Sequence, residues 1–284
     1  MKQKYWLYSS ITVLMWGTGS VIIRLTFGSF SALTLAVARV WISAIVMLMI
    51  CLAKKMPLPR LRDVPLFFVT GAIGFAVYYI FYNLGFARVT AATGNVVLAS
   101  SPIFTALFAR LFLKEHIRPL GWVFTGVSFL GILILVLWNG VLSINEGVLY
   151  LIVTAALLSV YNLIQRRLTK RYNAVQSSAY SIVAGAILMS PLLPAMFANL
   201  TAATPPAILV LIYLGACSSG LAYLCWSKAF SLAKRTADVA NFLYLPAFIA
   251  AIIAFAVFAE LPDWGTVIGG VVILFGLWMF QKKA

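Results

Sequence analysis

Apolar residues come in ten long runs separated by short polar connections. The runs cover residues 5–27, 32–53, 64–87, 91–113, 119–138, 146–168, 176–198, 206–230, 236–259 and 264–281. Each is about 18–25 residues long, the length a helix needs to cross roughly 30 Å of hydrocarbon. No stretch alternates with the two-residue period of a membrane barrel. Only helices and closed barrels satisfy their backbone groups in lipid. The pattern therefore predicts an all-α integral membrane protein of ten transmembrane helices, with connections too short for a soluble domain. The first run lacks a small-residue cleavage site and reads as a retained span rather than a signal peptide.

The runs also repeat. A shift of 144 positions superposes Gly71 on Gly215, Tyr79 on Tyr223, Phe86 on Phe230, Pro102 on Pro246, Gly121 on Gly265 and Gly126 on Gly270. Glu115 and Glu260 match at 145, one residue having slipped between them. A period of about half the chain means a duplicated unit, predicted to occupy 1–140 and 141–284 with five spans each. Five is odd, so the second copy enters the membrane from the opposite side. Inverted repeats of this kind hold solute near the midplane between their halves and expose it alternately to each side.

Composition agrees: charged residues make up 10% of the chain, against roughly 25% in soluble domains. The net charge of +15 is placed for topology rather than for nucleic acid. Lys54, Lys55, Arg60 and Arg62, then Lys114 and Arg118, then Arg166, Arg167, Lys170 and Arg171, and finally Lys234, Arg235, Lys282 and Lys283 all fall on one side. The connections on the other side hold Arg88 and the acids Glu260 and Asp263. By the positive-inside rule both termini are expected in the cytoplasm.

Candidate binding residues sit on helical faces. Tyr79, Tyr82, Asn83 and Phe86 recur at i, i+3, i+4 and i+7 in span three, and Tyr223, Trp226, Ser227 and Phe230 do so in span eight. Interfacial anchoring is the competing explanation for the rings nearest the span ends. Asn241 with Tyr244 in span nine, Ser100 and Ser101 in span four, Tyr161, Asn162 and Gln165 in span six, and Trp16 with Gly19 and Ser20 in span one add polar or ring-bearing faces. Any single one of these could serve only as a bridge between helices. Arg39 lies about 12 Å inside span two. Such a charge either holds an anionic substrate group or snorkels. Pro102 and Pro246 kink spans four and nine at equivalent places and are candidate hinges. Glu115 and Glu260 are expected to latch their hairpins by accepting from the N-terminus of the helix that follows. Gly265 and Gly269 form a GxxxG that could pack within the bundle or mark a homodimer face.

No Asp or Glu lies mid-span, which favours facilitated diffusion or exchange over a carboxylate proton relay. No metal cluster, nucleophile–base pair or phosphate loop is visible. His116 falls in a polar connection, and Cys51, Cys217 and Cys225 have no metal spacing. The expectation is a transporter rather than an enzyme, without cofactor, monomeric or homodimeric, whose partners are a small-molecule substrate and the lipid bilayer. An intramembrane solute-binding or sensory protein without translocation is the alternative.

Trp16–Gly17, Arg39, and the stretch from Pro102 to Glu115 followed by Gly121 and Gly126 resemble the repeat of EamA-type members of the drug/metabolite transporter superfamily. The stretch from Pro246 to Glu260 with Gly265 and Gly270 resembles a second copy. The resemblance implies a ten-helix exporter in a bacterial inner membrane, with a cavity built from spans one to four and six to nine. It also implies transport of small metabolites such as amino acids or drugs, and the Tyr/Trp stripes look most like the aromatic amino-acid exporters. Span six departs from the pattern, with Tyr161–Asn162 in place of Trp–Gly.

Overall fold

A computed structural model of the protein describes residues 4–26, 28–89, 94, 97–138, 146–200, 203–258 and 264–283. The fold is all-helical, with ten membrane helices. They are α1 (Tyr5–Ile22), α2 (Ala32–Ala53), α3 (Leu61–Phe86), α4 (Ser101–Leu113), α5 (Pro119–Leu137), α6 (Glu146–Leu168), α7 (Ala174–Leu200), α8 (Pro205–Leu232), α9 (from Thr236, through Leu245–Phe258) and α10 (Trp264–Lys283).

Local chemistry fixes the helix starts. Ser31 caps α2 by accepting from Thr34 N at 3.1 Å, after a turn in which Gly28 takes φ +90°. Asn173 and Gln176 form a reciprocal capping box at α7. Prolines open α5 and α8, where a missing N–H leaves no helical bond unmade. Large apolar side chains such as Leu52, Phe112, Leu209 and Trp278 stand exposed around the outside, where lipid covers them.

The packing obeys an exchange of halves. α1 lies against α8 and α9, and α6 lies against α3 and α4. α2 packs on α8, and α7 packs on α3. Equivalent helices also pair, α2 with α7, α4 with α9 and α5 with α10, and α2 meets α3 as α7 meets α8. Swapping each helix for its counterpart five places on leaves this set of neighbours unchanged, as two inverted five-helix repeats require. α5 and α10 run side by side along their length and pack against α9. The GxxxG of α10 serves that pairing within the chain: a Cβ at Gly131 of α5 would lie 2.8 Å from Gly269 O, and one at Gly265 would meet the Trp138 ring.

Two irregularities are also duplicated. α3 widens to a π-helix at Ala72–Ala76 and α8 at Leu214–Leu221, and the shift of 144 carries the first inside the second. α9 tightens to a 3₁₀ turn at Asn241–Tyr244, just before Pro246. Ahead of Pro102 the chain makes a similar turn, with Ser100 N donating to Val97 O at 3.1 Å. Mid-helix departures of this sort are often found at functional sites.

Candidate functional site

A π segment spaces its hydrogen bonds one residue wider, which leaves carbonyls free for partners from other helices. In α8 those partners arrive from α1 and α2. Trp16 Nε1 donates to Ser218 O at 2.9 Å, Ser43 Oγ to Gly215 O at 2.9 Å, and Thr12 Oγ1 to Ala222 O at 3.1 Å. Close approach of α1 depends on Gly19, whose missing Cβ would stand 2.9 Å from Ser218 Oγ.

On this wall rests Arg39 of α2, which is 5% exposed. Its Nε donates to Ser219 Oγ at 3.1 Å, and Tyr79 OH donates to the same oxygen at 2.7 Å. The guanidinium carbon lies 4.7 Å from the centre of the Tyr79 ring and 6.0 Å from that of Tyr82. A cation at the centre of a membrane helix costs about 2.5–3.5 kcal/mol on insertion scales. The two ring faces and one hydroxyl offset part of that cost. Among the described residues no carboxylate pairs with Arg39. Asp63 takes Arg171 and Tyr172, Glu115 lies by Arg166 and Thr236, Glu146 takes Arg88, and Asp238 takes Arg235.

Arg39 faces a cavity of about 90 Å³. α1 contributes Trp16, Gly19 and Ser20, and α3 contributes Tyr78, Tyr79 and Tyr82. Leu98 and Ala99 close one side ahead of α4, with Leu158 from α6. The second half supplies Ser218 and Tyr223 from α8, and Leu243, Pro246 and Ala247 from α9. Both halves thus share one small chamber near the middle of the bundle.

Towards the end of the bundle rich in Lys and Arg the chamber has a solid floor. Trp226 packs 5.1 Å from Trp16, and Phe230 packs 5.4 Å from Trp226. Asn162 Oδ1 accepts from Trp226 Nε1 at 3.0 Å, and Asn162 Nδ2 donates to Thr105 Oγ1 at 3.3 Å. Gln165 Nε2 donates to Ser227 Oγ and, at 3.0 Å, to Ser177 Oγ. Trp226, Phe230, Asn162, Gln165 and Ser227 are fully buried. Beyond them Glu115 closes the assembly.

Glu115 departs from the sequence expectation. It does not cap α5. Its carboxylate accepts from Thr236 N at 2.6 Å and Thr236 Oγ1 at 2.7 Å, at the start of α9, with Arg166 Nε 4.0 Å away. α5 opens on Pro119, which has no N–H to give, whereas α9 opens with a free one. The latch therefore joins the halves instead of a hairpin. Glu260 lies outside the described residues.

Of the residues read from the sequence as binding candidates, Trp16, Arg39, Tyr79, Tyr82 and Tyr223 line the chamber, as does Pro246. Trp226 and Asn162 are in its floor. Tyr161 is buried behind Tyr223, at 5.6 Å, with its hydroxyl unpartnered. Asn83 turns inward and donates to its own helix at Tyr79 O, 2.7 Å. Ser100 Oγ donates to Val97 O at 2.6 Å, while the carbonyl of fully buried Ser101 accepts from Ser159 at 3.0 Å. Tyr244 packs with Ile132 and Ile273 away from the chamber, its hydroxyl unpartnered, and the Asn241 amide is buried without a partner. Pro102 is buried and does not reach the chamber.

Tyr78, Ser218 and Ser219 complete the site without having stood out in the sequence. Tyr78 precedes the stripe by one position, and the serines lie in the π segment. His116 is exposed, and the described residues hold no cluster of metal ligands. Rings, hydroxyls and one fixed cation can bind and orient a small solute; they supply no acid–base pair for catalysis.

The sequence profile of the EamA-like transporter family matches the chain twice, over residues 3–137 and 145–281. An uncharacterized transporter of Bacillus subtilis, YdfC, is 29% identical over 269 residues, covering 94% of this chain and 88% of that protein. A probable terminal-alkyne amino-acid exporter of Streptantibioticus cattleyicolor is 24% identical, covering 96% and 92% respectively. An S-adenosylmethionine uptake transporter of Rickettsia felis is 32% identical over 194 residues, 68% of this chain and 63% of that one. A crystal structure that is 19% identical superposes over 100% of both chains with a TM-score of 0.83, a likeness of fold.

Proposed function

This chain belongs to the EamA-like transporter family of the drug/metabolite transporter superfamily, and from that premise we propose that it exports a small amphipathic or zwitterionic metabolite by alternating access. The membrane is a bacterial inner membrane, with both termini cytoplasmic, as the one-sided placement of Lys and Arg suggests. Residues 1–140 and 141–284 are the units that rock, bending at Pro102 and Pro246. Trp16, Arg39, Tyr79, Tyr82 and Tyr223 contact the solute. The observation that carries this reading is a mid-bundle chamber walled by both halves and floored on the basic side by Trp226, Phe230 and the Asn162 network. Such a state is closed to the cytoplasm, and its opposite requires the floor and the Glu115 latch to part.

Chamber size favours an amino-acid-sized solute. A nucleoside-sized one of the kind named for the rickettsial relative would need the walls to draw back. The lining holds rings for an apolar body and hydroxyls with one cation for a polar end. It holds no carboxylate among the described residues, which supports exchange or facilitated diffusion. The test is counterflow of amino acids in proteoliposomes containing the purified protein. Flux that survives collapse of the proton gradient is expected. Strict dependence on the gradient overturns the coupling assignment, and saturable binding without any counterflow identifies a solute-binding protein instead.

A further inference from the structure

Building on that transport reading, we propose that the chamber sorts solutes by charge. It carries a seat for a carboxylate and none for an ammonium, so organic acids with a net negative charge bind at least as well as the matching amino acids, and far better than neutral amides or amines.

The argument starts from how Arg39 is held. One nitrogen, Nε, is committed to Ser219, and the guanidinium carbon lies over the Tyr79 ring, 4.7 Å from its centre. Ser219 Oγ accepts from both Arg39 and Tyr79, and Tyr79 is itself fixed by that bond. The guanidinium is therefore anchored at one nitrogen and over one ring before anything binds. The two terminal nitrogens donate to no described residue, and the side chain lines the chamber. A planar fork with neither prong bonded to a described residue matches a carboxylate in bidentate fashion.

Among the described lining residues no carboxylate stands ready to meet a positive group, and hydroxyl oxygens are the only side-chain acceptors. Arg39 is the one ionised side chain among the described lining residues, and the four described carboxylates are engaged elsewhere. Aromatic faces could hold an ammonium, but the cation already occupies the face of Tyr79 and stands 6.0 Å from Tyr82. Trp16 and Tyr223 meet edge to face, at 5.3 Å and 64°, so one of their faces is already covered. An ammonium in so small a chamber would sit close to Arg39 in a low dielectric, where like charges repel strongly. The amino group of a solute is thus dispensable, while its carboxylate is required.

Four probes that share a phenyl group separate the charges: hydrocinnamate, phenylalanine, phenylalanine amide and phenethylamine. Their affinities are read from the shift in thermal unfolding of the purified wild-type protein in detergent. Hydrocinnamate is expected to bind as tightly as phenylalanine or up to about tenfold tighter. The amide and the amine should be weaker than hydrocinnamate by about 10- to 100-fold, the worth of a charge-assisted pair. Arg39→Gln should flatten this ranking, and Arg39→Lys should keep its order with weaker affinities, since it retains the charge without the fork. An amide or amine that binds as tightly as the acid overturns the proposal. So does an unchanged ranking in Arg39→Gln, or the absence of binding by all four at millimolar concentration. Should both variants fail to fold, the wild-type ranking still decides. Counterflow of phenylalanine, measured alongside, separates the two readings: binding in the expected order without counterflow leaves the charge rule standing and removes transport.

Discussion

Two walls of the bundle are built to one plan and end differently. In each, a π segment of one half receives a ring from the first helix of the other half: Trp16 of α1 against α8, and Tyr161 of α6 against α3. Against α8 the ring donates to a freed carbonyl, and beside it Ser219 receives Arg39 and Tyr79, so the wall is polar and a chamber stands before it. Against α3 the position 144 residues before Ser219 is Phe75, which packs 5.5 Å from Tyr161 and 4.8 Å from Tyr223. The level of α7 that answers to Arg39 carries Ile182 and Val183. Tyr161 sits directly over Gly74, fully buried, and its hydroxyl, near Ser227, makes no well-formed hydrogen bond. Duplication supplied the geometry twice; a few side chains made one copy a polar wall facing a chamber and the other a plug.

The largest effect that would break this contrast is expected below the plug. Trp226→Ala removes a fully buried ring and leaves Asn162 short of a partner, costing about 3–5 kcal/mol by analogy with other core truncations. A drop of several degrees in thermal unfolding and a passive leak of small solutes through proteoliposomes should accompany it. Next in size is Gly74→Ala, whose methyl would stand 2.2 Å from the Tyr161 ring. Overpacking of this kind costs about 1–3 kcal/mol, and Gly74→Ala with Tyr161→Ala should recover part of it in a double-mutant cycle. Ser219→Ala takes away the acceptor shared by Arg39 and Tyr79. At roughly 0.5–1.5 kcal/mol per bond, solute affinity in counterflow should fall severalfold while expression holds. The smallest effect sharpens the comparison most. Tyr79→Phe should weaken binding, whereas Tyr161→Phe should leave stability unchanged or raise it slightly, since it deletes a buried hydroxyl that has no bond to lose.

Much of the architecture could be read from the residues because hydrocarbon thickness leaves little choice. Run length gave the spans, and the offset of 144 gave the pairing that the helix contacts obey. Arg39 was visible as an intramembrane charge, and Tyr79 with Tyr82 as a stripe at helical spacing. Ser218 and Ser219 were hidden because a helical wheel assumes one period throughout. A π segment of several residues turns the following face by a sizeable fraction of a turn, so side chains cannot be carried across it by counting. Asn241 and Tyr244 likewise lie outside the described chamber lining. In a 3₁₀ turn they still share a face, being three apart, but the tighter winding directs Tyr244 to Ile132 and Ile273 instead of the chamber. Glu115 was read against its neighbour in sequence, and its actual partner is 121 residues away. An acid at a helix end finds whichever N-terminus has free donors, and Pro119 had removed one from the nearer candidate.

Whether the halves part at the basic end is best measured by tying them together there. Cysteines placed at Glu115 and Thr236, in a protein whose Cys51, Cys217 and Cys225 have been replaced, can be joined by a short reducible cross-linker. Counterflow should stop on cross-linking and return on reduction, while solute binding to the joined protein persists. Full-rate counterflow by fully cross-linked protein would contradict alternating access through this floor.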